Sequence, residues 1–208
     1  MGWHWGFGAA GVGMLCGLLI YTFGQKHLAP DTLSVAKAAH KEAQEHRPLD
    51  NNEWQAVGAL VMLCLLNVVF WAVYEQQGNT MQTWADERTV WPVIMGFQVP
   101  STWFQSVNPF FIFLLAPLFD MLWAWQSKRG SEPTSVQKMA LGSTILGLSF
   151  IVMVVGANMM GEDKGSWFWP VFCTILLTVG EVYLSPIGLS LVTKVSPARI
   201  VSLMMGMW

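Results

Sequence analysis

The chain has 208 residues, of which 53% are hydrophobic and 12% charged, and it contains twelve tryptophans. This composition lies outside the range of soluble globular proteins and is typical of integral membrane proteins. The formal net charge of −2 and the lack of a basic cluster argue against nucleic acid as a partner. The three cysteines stand apart without CxxC spacing, which argues against a metal site or a disulfide framework.

Hydropathy windows of about nineteen residues predict five membrane-spanning helices and the start of another. We letter them in chain order: A at 5–23, B at 54–80, C at 105–125, D at 136–157, E at 168–192, and F from about residue 200. Span F has roughly nine residues, fewer than the seventeen or so that a crossing needs. The expected fold class is an all-α membrane protein, and we expect the bundle to be incomplete.

Spans A and B are joined by the one sizeable polar segment, residues 24–53. Its stretch DTLSVAKAAHKEAQEHR favours helix, with Lys41 and Glu45 at the i,i+4 spacing of a helical ion pair. We interpret it as a solvated linker helix. A regulatory or lipid-binding surface is the alternative, although no polybasic cluster is present.

The distribution of lysine and arginine predicts the orientation in the membrane, because positively charged short loops stay cytoplasmic. Nine of the eleven basic residues fall on the side that holds the A–B, C–D and E–F connections: Lys26, Lys37, Lys41, Arg47, Lys128, Arg129, Lys138, Lys194 and Arg199. Only Arg88 and Lys164 fall on the other side. The linker at 24–53 is therefore predicted to be cytoplasmic.

Carboxylates inside spans are costly and are functional candidates by default. Glu181 is the clearest, because it lies about thirteen residues into span E, near the bilayer midplane. Thr174, Thr178, Glu181 and Ser185 are spaced four, three and four apart, so they form one polar stripe on a helix face. The alternative is a purely structural ion pair with a helix outside this chain.

Glu75 has two interpretations. A span that begins at Trp54 brings it near the outer membrane boundary, where a carboxylate needs no special explanation. In favour of function, Asn67, Trp71 and Glu75 recur every four residues, and Gly78 follows on the same side. The residues alone leave this choice open.

Three further positions stand out. Asp120, at the cytoplasmic end of span C, is interpreted as an interfacial residue that pairs with nearby basic side chains. Asn108 precedes Pro109, which we expect to prevent a normal helical start and free backbone groups beside a cavity, although a simple helix-entry signal is the alternative. Pro186 is expected to loosen span E just below Glu181.

Four motifs occur in one order: FWAVYEQQGNT, QSVNPFFIFLLAPLF, GEVYLSPIGLSLVTKVSP and MMGMW. Together they resemble the proton-dependent oligopeptide transporter family of the major facilitator superfamily. Residues 1–23 look like the sixth helix of that family. The resemblance implies a helical bundle in which 24–53 is a linker and 54–208 holds helices seven to ten and the start of eleven.

The resemblance also implies a function and a set of site residues. Members of the family are symporters that take up di- and tripeptides with protons by alternating access. The position of Glu181 holds the amino terminus of the peptide, and Asn108 adds polar contacts. Trp71 and Trp208 resemble pocket walls, and Ser185, on the face of Glu181, joins the substrate-binding set.

The acid that matches Glu75 is tied to proton coupling and to the outer gate. The resemblance implies no metal and no cofactor other than protons, and its partners would be small peptides, the lipid bilayer and an amino-terminal helical bundle. The expected location is a bacterial inner membrane. Bacterial members often carry two extra helices after helix six, whereas 24–53 is too short and polar to contain them, so a twelve-helix variant is expected.

Two other functions remain open at this point. A symporter of the same fold could carry another small solute, such as an amino acid or nitrate, and Glu181 favours cargo with a cationic group. A non-transporting membrane module for binding or assembly is the second alternative. An enzyme is disfavoured, because the spans show no Ser/Lys, Asp/Asp or His-rich metal arrangement.

Overall fold

The computed structural model describes residues 3–27, 48–198 and 200–208. The predicted linker helix, at residues 31–47, lies outside the described residues. The chain divides into two compact units, with the boundary after Pro48. In the first unit, helix α1 (Trp3–Gly24) is followed by a 3-10 turn at Gln25–His27.

The second unit is helical apart from short strands at one end. Its helices are α2 (Asn51–Tyr74), α3 (Thr80–Glu87), α4 (Val107–Lys128), α5 (Ser135–Met160), α6 (Phe168–Val195) and α7 (Val201–Met207). Its strands are β1 (Thr89–Val90), β2 (Val93–Ile94), β3 (Phe97–Gln98) and β4 (Gly165–Ser166). Five described segments are long and apolar enough to cross a membrane, which confirms spans A to E.

Span B is longer than predicted and is broken. Helix α2 ends at Tyr74, residues Glu75–Gln77 form a 3-10 turn, and α3 then continues to Glu87. The break coincides with Gly78 and Asn79, which are poor helix formers, and the backbone of Asn79 leaves the helical region at φ −115° and ψ −84°. The predicted end at residue 80 was therefore too early.

The prolines do not interrupt their helices. Pro109 lies in the first turn of α4, where the missing N–H costs no intrahelical bond. The prediction that it prevents a normal helical start was wrong, and it acts as a helix-entry residue after a 3-10 segment at Ser101–Ser106. Helix α6 likewise stays helical across Pro186.

Helices α5 and α6 form the closest-packed pair, because two glycines face each other. A Cβ on Gly142 would lie 2.8 Å from the carbonyl oxygen of Gly180, and one on Gly180 would lie 2.9 Å from that of Gly142. Nearby, the fully buried Cys173 thiol donates to the Ser149 carbonyl oxygen at 3.2 Å. Close backbone approach of this kind is how small residues hold membrane helices together.

The connection between α4 and α5 is held by a buried lysine. Lys138 is only 6% exposed; its Nζ lies 2.6 Å from Glu132 Oε1 and 4.4 Å from the ring centroid of Trp123. The hydrogen bond from Lys138 holds the pKa of Glu132 below its ordinary value. Asp120 is exposed and forms no ion pair within the described residues, where Lys128 is eight residues, about 12 Å, further along the helix, so its predicted pairing stays a prediction.

The short strands mark one end of the helical unit. Strand β1 pairs in parallel with β4, so that Thr89 lies opposite Gly165, three residues before α6 begins. The connections from α3 to α4 and from α5 to α6 both lie here. We call this the outer end, because the positive-inside asymmetry assigns it to the outer face of the membrane.

Candidate functional site

Glu181 lies at the midpoint of α6, with thirteen residues of the helix before it and fourteen after. The side chain is half-buried and points towards α2 and α4, from which its hydrogen-bond partners come. In the described part of the chain no lysine or arginine pairs with it. Its partners are polar neutral groups.

Tyr74 and Asn108 hold one oxygen of this carboxylate. The hydroxyl of Tyr74 donates to Glu181 Oε2, and Asn108 Nδ2 lies 3.1 Å from the same oxygen. The Asn108 amide also lies 2.8 Å from the Tyr74 hydroxyl and 3.1 Å from Thr178 Oγ1. An amide group has two hydrogens for these three acceptors, so the contacts are shared.

The second carboxylate oxygen of Glu181, Oε1, accepts no hydrogen bond in the described part of the chain. Both hydrogen bonds to the carboxylate end on Oε2, and no donor within residues 48–198 and 200–208 reaches Oε1. A half-buried carboxylate oxygen in this position is a ready acceptor for an ammonium or another strong donor.

The predicted polar stripe on α6 exists, and its members differ in role. Thr174 and Thr178 are fully buried and donate to helix carbonyl oxygens one turn earlier, at 2.9 and 2.8 Å. Ser185 lies one turn beyond Glu181 and is half-buried, with no side-chain hydrogen bond among the described residues. The structure therefore brings Thr178 into the Glu181 network and leaves Ser185 beside it.

A groove of about 560 Å³ runs along the face of α2 that the sequence singled out. Asn67, Trp71, Glu75 and Trp208 all line it, together with apolar side chains. The Oδ1 atom of Asn67 is buried and has no hydrogen-bond partner. A polar oxygen held without a partner is costly, which points to an external donor in the groove.

Trp71 and Trp208, which both line the groove, pack against residues of α2 and α6, respectively. The rings of Trp71 and Tyr74 meet edge to face, with centroids 5.1 Å apart. Trp208 packs directly on the backbone of Gly188, where a Cβ would collide with its indole ring. Trp71 thus connects the groove with the Glu181 network through Tyr74, and Trp208 lines the same groove.

The position of Glu75 along the helix bears on its two interpretations. Its neighbour Tyr74 bonds to Glu181 at the middle of α6, so Glu75 lies close to the level of the Glu181 network. The helical segment also runs on through α3 to Glu87, which favours the functional interpretation over the boundary one. Glu75 is exposed to the groove and not bonded to Glu181.

Tyr74 is the functional candidate that the sequence analysis missed. Tyr74 is a neutral phenol at the end of an apolar run, so it lacks the charge that marks Glu75 and Glu181 as candidates. A signal was present, because Tyr74 follows Trp71 by three residues and so shares its helix face.

The family model described as POT family matches residues 29–208. An uncharacterized transporter of Bacillus subtilis, YclF, is 33% identical over 255 aligned positions, which cover 99% of this chain and 51% of that protein. The aligned region of 255 positions is longer than this chain of 208 residues, so the relative carries residues within that region that have no counterpart here.

Other relatives are named for their cargo. A peptide transporter of Yersinia enterocolitica, YePEPT, is 28% identical over 100% of this chain and 52% of its own length. A di-/tripeptide transporter of Lactococcus lactis is 32% identical over 78% of this chain and 33% of its own length. The chain thus spans about half the length, or less, of the curated relatives it matches.

Solved structures of POT transporters are also similar to this chain. A peptide transporter POT in complex with sulfate matches with a TM-score of 0.69 and 31% identity, over 96% of this chain and 42% of the other. A POT family transporter in complex with a thioalcohol-conjugated peptide matches with a TM-score of 0.70 and 27% identity, over 99% and 44%. With its five apolar spans and bacterial relatives, the chain is a multi-pass integral protein of the bacterial plasma membrane. It belongs to the POT family.

Proposed function

We propose that this chain is the carboxy-terminal part of a proton-coupled symporter for di- and tripeptides that works by alternating access. In this assignment spans A to F correspond to helices six to eleven, and 24–53 is the cytoplasmic linker between two bundles. Family membership and the names of the relatives support it. The observation that carries it is the half-buried carboxylate of Glu181 with one oxygen free to accept.

Glu181 is the proposed ligand for the amino terminus of the peptide. An ammonium donates up to three hydrogen bonds, and a fixed carboxylate in a low-dielectric cavity meets it with the strongest kind of hydrogen bond. Tyr74 and Asn108 hold Oε2, so the carboxylate is oriented before cargo arrives. Preorganisation of this kind lowers the entropic cost of binding.

The groove beside Glu181 is the proposed seat of the peptide body. Trp71 and Trp208 offer flat apolar surfaces that accept side chains of different shapes, whereas a peptide N–H would satisfy the buried Oδ1 of Asn67. Ser185, next to Glu181, adds a hydroxyl at the edge of the same site. This division gives a fixed polar end and a permissive apolar wall.

Replacing Tyr74 by phenylalanine tests the preorganised carboxylate. The change keeps the ring against Trp71 and removes one donor to Glu181, so we expect dipeptide affinity to fall roughly three- to tenfold. The measurement is displacement of a labelled dipeptide from the purified transporter. Tyr183 also has a buried ring and provides the control, because Tyr183→Phe should bind the dipeptide as the wild type does. Unchanged affinity in Tyr74→Phe would remove Tyr74 from the site.

Glu75 is the proposed proton-coupling residue. It faces the groove near the level of Glu181, and its carboxyl group would bind and release a proton as the cavity opens and closes. In the complete transporter, Glu75→Gln is expected to lower uptake driven by an inward proton gradient roughly tenfold and to leave gradient-free exchange of dipeptide intact. Glu87→Gln, at the outer end of the same span, is the matched control. Gradient-driven uptake that survives in Glu75→Gln would contradict this role.

A related cargo class also has support. One structural neighbour, at 27% identity and a TM-score of 0.70, is a POT family transporter in complex with 5-aminolevulinic acid. That molecule also carries an ammonium, which Glu181 could bind in the same way. Competition by 5-aminolevulinic acid against a labelled dipeptide would place both cargoes in one site.

Transport itself needs the opposing bundle. Alternating access in this superfamily is rocking of two bundles about a central site, so the activity is proposed for the complete protein. The direct test is uptake of a labelled dipeptide into proteoliposomes that contain the complete transporter, with and without an inward proton gradient. Gradient-dependent uptake supports the proposal, and its absence for every dipeptide tried would overturn it.

A further inference from the structure

The connection between α3 and α4 carries a small exposed β-hairpin. Strands β2 and β3 pair antiparallel, with Ile94 opposite Phe97 and Val93 opposite Gln98. The two-residue loop has positive φ at both positions, 53° at Met95 and 82° at Gly96, as in the tight turns that suit the twist of a hairpin. A positive φ is unfavourable for methionine, so the turn keeps an apolar side chain at its tip in a backbone conformation that methionine rarely adopts.

The hairpin presents apolar side chains outwards. Val93, Ile94 and Phe97 are each more than half exposed, and Met95 at the tip is fully exposed. Trp103, in the 3-10 segment that follows, is also exposed, and its ring centroid lies 5.8 Å from that of Phe97. Contiguous exposed apolar groups of this kind mark an interaction surface.

Its position in the fold puts this surface at the membrane boundary. Val90 pairs with Ser166, two residues before α6 starts, and the hairpin begins three residues after Val90. The segment at Ser101–Lys128 that follows is again apolar enough to span the bilayer. The hairpin therefore lies between the outer ends of two membrane spans.

The charge pattern distinguishes this connection from its neighbour. No charged residue occurs between Arg88 and Asp120, although the hairpin lies outside the helices. The other outer connection has the sequence GEDK at 161–164 and is charged, as expected for a loop in water. Apolar and aromatic side chains without charge are typical of the boundary between lipid headgroups and acyl chains.

We propose that the hairpin at 93–98, together with Trp103, is an interfacial anchor that inserts its tip into the headgroup region of the outer leaflet. The anchor would fix the height of the α3–α4 connection relative to the bilayer. Because Phe104 and Asn108 follow in the same segment, the anchor would also fix the membrane depth at which Asn108 meets Glu181. This inference does not depend on the identity of the cargo.

The test is a fluorescent probe at the hairpin tip of the protein in lipid vesicles. Met95→Cys is labelled with an environment-sensitive thiol reagent in a Cys16→Ala, Cys64→Ala background; the remaining Cys173 is buried. Quenchers are lipids with a nitroxide near the headgroup, lipids with a nitroxide near the chain end, and aqueous iodide. Asp163→Cys, in the charged outer loop, is the matched control.

The proposal predicts that the label at position 95 is quenched several-fold more by headgroup-level nitroxide than the label at position 163, and less by iodide. Adding Ile94→Ser and Phe97→Ser should reduce that lipid quenching. Equal quenching by iodide at both positions would overturn the proposal, since the tip would then lie in water. Protection from both lipid and iodide would also overturn it, because another protein segment would then cover the hairpin.

Discussion

Replacing Glu181 by glutamine is expected to weaken dipeptide binding roughly 10- to 100-fold and to reduce uptake accordingly. Glutamine keeps the size of the side chain and can still accept from Tyr74 and Asn108. It removes the negative charge, and a hydrogen bond to a charged group contributes about 1.5–3 kcal/mol. The loss therefore isolates the charge-assisted contact with the ammonium of the cargo.

The matched control for this prediction is Asp120→Asn. Asp120 is a carboxylate on α4 that is exposed and distant from the hydrogen-bond network of Glu181. Its neutralisation should leave dipeptide affinity unchanged, whereas a general requirement for negative charge would lower affinity in both variants. Wild-type affinity in Glu181→Gln would refute the assigned role of this carboxylate.

Replacing Gly142 by alanine is expected to destabilise the bundle by about 1–3 kcal/mol. The added Cβ would lie 2.8 Å from the Gly180 carbonyl oxygen and 2.9 Å from the Cβ of Tyr183. Backbone atoms cannot rotate away, so α5 and α6 would have to separate. The measurement is the midpoint of thermal unfolding in detergent, followed by loss of helical signal.

Gly147→Ala on the same helix is the control for this effect. A Cβ at Gly147 meets no atom within 4 Å, so the substitution adds helix propensity without a clash. It should be neutral or stabilise by up to about 1 kcal/mol. Equal destabilisation by both substitutions would show that helix α5 does not pack on α6 as described.

The sequence predicts the spans well, because the cost of leaving polar backbone in lipid makes length and hydropathy decisive. Spans D and E agree with α5 and α6 within a few residues. The face shared by Asn67, Trp71 and Glu75 was also predicted, since helical periodicity alone fixes it. These properties are local to one helix.

Properties that depend on the packing of two helices could not be predicted from the sequence. The level of Glu75 relative to Glu181 follows from the bond between Tyr74 and Glu181, which joins residues 107 apart in the chain. Tyr74 itself is ambiguous in sequence, because a tyrosine can pack as an aromatic ring or act through its hydroxyl. Only the position of α6 decides between these uses.

Glu181 is proposed to bind the free amino terminus of the cargo. The most direct measurement is displacement of a labelled dipeptide from the complete transporter by an unlabelled dipeptide and by its N-acetylated form. Acetylation removes the ammonium and leaves the rest of the peptide unchanged. We expect the acetylated form to compete roughly tenfold or more weakly. Equal competition by the two forms would contradict it.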